Sequence, residues 1–150
     1  MTLHATCDDQ MKVYFDGELQ PETAAMKNWG QVSPLSIPAG TRVLAIECKD
    51  VGGGKGILAS TSTGLKTDSS WRCSSEVIEG WTRPDFVLPP ETFASANTLG
   101  NNTVSPWIRD DQPPRLSHMK LIFTQPFPFF YGGYRVCKGI IIAKVWMLSW

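Results

Sequence analysis

The chain reads as an all-β protein of the sandwich or jelly-roll kind, on three observations. Short runs alternate apolar and polar side chains, as half-buried strands do. Turn formers are frequent, with 13 glycines and 11 prolines spread among Ser/Thr clusters. No stretch carries the repeat of a long amphipathic helix. At 150 residues the chain is one domain's worth and long enough to bury a core.

The elements follow in order. "MKVYF" places Met11, Val13 and Phe15 on one face and Lys12 and Tyr14 on the other, and Asp16-Gly17 is a turn signal. Residues 22–27 have the composition for a single helical turn before Gly30. Residues 32–37 read as a short extended segment, and Pro38-Ala39-Gly40 turns the chain into the next strand. "TRVLAIECK" sets Leu44, Ile46 and Cys48 on one face and Val43, Ala45 and Glu47 on the other. "GILASTST" is another strand candidate, and the glycines between the two runs predict a β-hairpin. "TDSSWRCS" carries Trp71 and Cys73 on one face, and "EGWTRPDF" is an irregular loop around Trp81 and Phe86. Residues 139–150 include Lys144 and are too few to span a bilayer, so a terminal strand is expected there and no transmembrane segment.

The triple glycine before Lys55 invites a nucleotide-binding reading, and its spacing refuses one. With Gly54-Lys55 as the G-K of a phosphate loop, the first glycine falls on Lys49 and the magnesium-binding hydroxyl on Gly56. The dinucleotide pattern fails at Ile57. No nucleotide is expected. Lys+Arg and Asp+Glu are each 14, so there is no basic footprint for nucleic acid either. Catalytic motifs are absent as well: there is no G-x-S-x-G elbow, and neither His4 nor His118 stands in a recognisable constellation. A noncatalytic protein with no cofactor and no metal is expected.

Cys7, Cys48, Cys73 and Cys137 form no C-x-x-C pair. Their even number and strand-like surroundings point to two disulfides in an oxidising compartment, against four buried thiols in a reducing one. Of the three connectivities, Cys48–Cys73 with Cys7–Cys137 is favoured. Asn101 opens an N-x-T glycosylation acceptor, which agrees with secretion. The start "MTLHATCDDQ" lacks the basic and apolar stretches of a signal peptide, so either the protein is cytosolic or the chain is an incomplete or mature-like piece of something longer.

The succession "DDQMKVYFDG", "NW", "IPAGTRVLAIECKDVGGGKGILAS" and "TDSSWRCSSEVIEGWTRPDF" resembles the galactose-binding-domain-like jelly roll of glycosidase-associated and invertebrate extracellular modules. The likeness covers about residues 5–86. The chain departs from it at "PDFVLPPETF" and through its last third. It implies a β-sandwich over residues 1–116, with residues 117–150 a divergent segment that could complete it. It further implies a secreted carbohydrate-binding or adhesion module whose partner is a sugar or glycoprotein. The alternatives are a matrix protein without a sugar site and an accessory domain of a glycosidase.

Trp29 and Trp81 are the stacking candidates, each beside a glycine in a polar loop, with Asn28 and Asp85 near in sequence to bond sugar hydroxyls. The competing reading makes each indole an edge of the core. Asp8-Asp9 and Asp68 read as turn acceptors or, alternatively, as cation or hydroxyl ligands.

Overall fold

A computed structural model describes residues 1–23, 32–50, 56–101, 120–123 and 139–147. The described chain is built of strands: β1 (Thr2–Asp8), β2 (Gln10–Phe15), β3 (Glu18–Leu19), β4 (Ser33–Ser36), β5 (Val43–Asp50) and β6 (Gly56–Thr61). There follow β7 (Arg72–Ser74), β8 (Ala94–Ser95), β9 (Asn97–Asn101), β10 (Lys120–Phe123) and β11 (Gly139–Trp146). One 3₁₀ turn, Pro21–Thr23, is the helical element among the described residues. One sheet runs β4-β1-β6-β10-β9 and the other β3-β2-β5-β11-β7-β8. Every ladder described between these strands is antiparallel. The all-β expectation is met.

The core forms where alternation from both sheets converges. From the first sheet come Leu3, Ala5 and Cys7 of β1, Leu35 of β4, and Ile57 and Ala59 of β6. From the second come Met11, Val13 and Phe15 of β2, with Leu44, Ile46 and Cys48 of β5. Trp71 is fully buried in the same cluster, and its indole Nε1 donates to the Lys66 carbonyl at 3.1 Å, so the one polar atom of the ring is satisfied. Pro34 sits in β4, at the edge of its sheet, where a missing N–H leaves no ladder bond unmade.

The Asp16-Gly17 turn forms as its residues dictate. Both have positive φ, 48° and 94°, and Phe15 pairs with Glu18 across the two-residue loop. Asp16 adds a second link: its carboxylate accepts from the Arg42 amide (3.0 and 3.1 Å) and the Val43 amide (2.8 Å), tying the turn to the start of β5. Asp68 takes the turn-acceptor part, receiving the Ser70 amide at 2.8 Å.

Two expectations are corrected, and one strand is added to those the sequence showed. First, β5 and β6 are not a hairpin. β5 pairs with β2 and β11 in one sheet, and β6 with β1 and β10 in the other. Two apolar runs and a glycine-rich joint specify a reversal of the chain but not which sheet receives the second run; residues 51–55 themselves lie outside the described residues. Second, Thr2–Asp8 is a full strand in the middle of its sheet, flanked by β4 and β6.

Third, the disulfide joins Cys7 to Cys48 (Cα–Cα 5.9 Å), and Cys73 is a buried free thiol. Cys48–Cys73 is excluded by the sheet: β11 lies between β5 and β7, so the two residues stand two strand spacings apart, about 10 Å. That exceeds disulfide reach. Cys48 points inward instead and meets Cys7 across the core. Cys7 is thereby withdrawn from Cys137, which lies outside the described residues. Burial pushes the Cys73 thiol up to about 12, which keeps it protonated and unreactive.

Candidate functional site

The outer face of the second sheet is covered rather than bare. Between β7 and β8 the chain runs without strands, through successive tight turns closed by backbone bonds. These are Trp81 N to Ile78 O (3.2 Å), Arg83 N to Gly80 O (2.9 Å), Phe86 N to Arg83 O (3.2 Å) and Phe93 N to Pro89 O (2.8 Å). Such a segment has no ladder, so side chains must anchor it. Trp81 and Phe93 do so, burying themselves on Val43 and Ala45, the outward residues of β5. Tyr14 meets the Trp81 ring edge-on, with centroids 5.8 Å apart and planes at 71°. Phe86 meets Phe93 in the same manner at 6.4 Å.

Above this apolar base lies an open groove of about 550 Å³. Its walls are Pro84, Phe86, Val87, Leu88, Pro90 and Phe93, and Arg72, Asp85 and Ala94 complete it. A second open groove of about 530 Å³ lies across the Asp85-Phe86-Val87 ridge, against Glu79, Gly80 and Arg83. Val87 stands 83% exposed on the ridge, an apolar side chain with no packing of its own.

The polar groups are arranged by geometry. Arg83 Nε donates to Asp85 Oδ1 at 3.1 Å and Nη2 to Oδ2 at 3.0 Å, a two-pronged clamp that fixes the carboxylate plane. The Arg83 stem is itself held, since its Cγ packs over the Gly17 turn. Arg72 reaches from β7 to Ser95 of β8, Nη1 to Oγ 2.9 Å, and its side chain lines the groove. On the same sheet face, Lys12 bridges Glu47 at 3.0 Å and the Tyr14 hydroxyl donates to Glu47 Oε2 at 3.1 Å. Burial first, and then the charge and hydrogen bond of Glu47, push the Tyr14 phenol up to about 12.

The expected site residues separate. Asp85 lines both grooves and is exposed. Trp81 is a correction: at 4% exposure its ring is committed to the packing beneath the loop and offers no face to a pyranose. Asn28 and Trp29 lie outside the described residues. Asn101 is the last residue of β9, and Asn102 and Thr103 of its acceptor sequence are likewise outside. Among the described residues no cluster of His, Cys, Asp and Glu is suited to a metal ion, and no helix is long and apolar enough to cross a membrane.

Reading the sequence for tryptophan beside glycine missed Arg72, Phe86, Leu88 and Phe93. Arg72 is the exposed first residue of β7, set between the buried Trp71 and Cys73, and that alternation was the available signal for it. The prolines at 84, 89 and 90 mark the segment as irregular but give no period from which to assign faces. The groove can hold a small amphipathic ligand, with apolar C–H surface on Phe86 and polar atoms toward Asp85 and Arg72. Protein-family models, curated proteins and solved structures, compared with this chain, yield no match.

Proposed function

We propose that this protein is a noncatalytic extracellular module of the galactose-binding-domain-like jelly-roll kind, and that it binds carbohydrate in the groove beside Phe86. The groove carries the reading: an aromatic wall next to a carboxylate held in one plane is the pairing of apolar and polar surface that a pyranose presents. The Cys7–Cys48 bond supports an oxidising compartment.

A glycan array, followed by calorimetry on the sugars it retains, tests the proposal. Phe86→Leu keeps much of the packing volume and removes the ring face, and it should weaken binding by about 1–3 kcal/mol, as for a hot-spot aromatic. Asp85→Asn, on an exposed side chain, should weaken the same sugars with the fold intact. If no glycan is retained, or if retained glycans bind both variants like the parent protein, the groove is not a sugar site. A matrix protein built on the same two sheets then becomes the better account.

A further inference from the structure

The groove's lining holds one cation and one anion, Arg72 and Asp85, and they are not paired with each other. Asp85 spends its carboxylate on Arg83, through both oxygens. Among the described residues Arg72 meets no carboxylate: its guanidinium donates to the neutral Ser95 hydroxyl, and the ion pairs there are Lys12–Glu47 and Arg83–Asp85. The other acidic residues of the loop, Glu76, Glu79 and Glu91, do not line this groove. A guanidinium left unmatched beside apolar walls Phe86, Leu88 and Phe93 has the donors to take a planar or tetrahedral anion through two parallel N–H bonds.

On this basis we infer that the groove selects acidic saccharides, with the ligand's carboxylate or sulfate on Arg72 and its C–H face on Phe86. The inference rests on the carbohydrate reading above and adds the ligand's charge to it. Bound ligand would supply the anion that Arg72 lacks, and uncharged sugars would leave the guanidinium to water.

The test presents glucuronate- and galacturonate-terminated oligosaccharides, their 6-sulfated neutral counterparts, and the plain glucose and galactose forms to the whole chain. Acidic forms should bind at least about tenfold more tightly than plain ones, the order expected of a hydrogen bond to a charged group. That preference should shrink as salt is raised. The uronate and sulfate arms identify which anion is preferred. Arg72→Gln should abolish the preference, and Arg72→Lys should keep part of it, having charge without the fork. Thermal midpoints of both variants establish that the fold is retained, and Arg72→Lys decides the matter if Arg72→Gln fails to fold. Equal binding of acidic and plain forms, or a preference that survives Arg72→Gln, overturns this inference and leaves the carbohydrate reading standing. Failure of every saccharide to bind overturns both.

Discussion

Asp16 combines two requirements that few residues meet together. Its φ of 48° lies in the left-handed region, and its carboxylate holds the amides of Arg42 and Val43. Substitutions should therefore rank by which requirement they break. Asp16→Asn keeps tolerance of that φ and an acceptor oxygen, and should be the mildest. Asp16→Gly keeps the backbone but strands the two amides. Asp16→Ala fails on both counts and should be the worst, with the lost bonds alone worth about 1–3 kcal/mol and the left-handed alanine adding roughly another 1–2. Denaturant midpoints of the three variants check the order; an alanine variant as stable as the glycine one would refute the backbone half of the account. The turn was legible in the sequence because Asp-Gly is a local signal. The residues of the groove were not, because Arg72 and Phe86 become neighbours through a loop whose packing has no period to read.

Among the elements, those with one buried face were read correctly. β2 alternates as its sequence says, and β5 divides its residues between the inner core and the base of the loop. Sheet membership was the illegible part, since alternation states that a strand has an inside but not which partner lies beside it. The segment between β7 and β8 shows the same limit. Its aromatic residues read equally as ligand platforms or as anchors, and burial decides for Trp81. Without that indole the segment loses its widest hold on the sheet. Trp81→Ala should destabilise the protein by about 3–5 kcal/mol, as large aromatic truncations in cores do. Any loss of ligand affinity should follow from unfolding of the loop. Hydrogen exchange of residues 78–93 measures this directly: those amides should lose protection before the strands. A Trp81→Ala protein of unchanged stability would show the indole to be dispensable to packing.

For the molecule as a whole, a disulfide among the described residues joins the two sheets, Cys7 to Cys48, with 41 residues of sequence separation. The chain-entropy account assigns a loop of that size about 4 kcal/mol. A Cys7→Ser/Cys48→Ser protein should lose stability of that order in a denaturant titration, whereas Cys73→Ser should leave the inter-sheet bond in place. Loss of that size in neither protein would remove the bond from the list of what holds the sheets together. The sheet order has its own consequence for biosynthesis. β11 fills the gap between β5 and β7, and its eight residues pair with β5 along their whole length, from Gly139 opposite Asp50 to Trp146 opposite Val43. On the ribosome β5 and β7 emerge long before that partner does. A nascent chain halted short of residue 139 would carry both strands with open, hydrogen-bonding edges, a ready template for aggregation. Completion of this sheet waits for residues 139–146 to emerge, and until then the chain depends on whatever shields those edges.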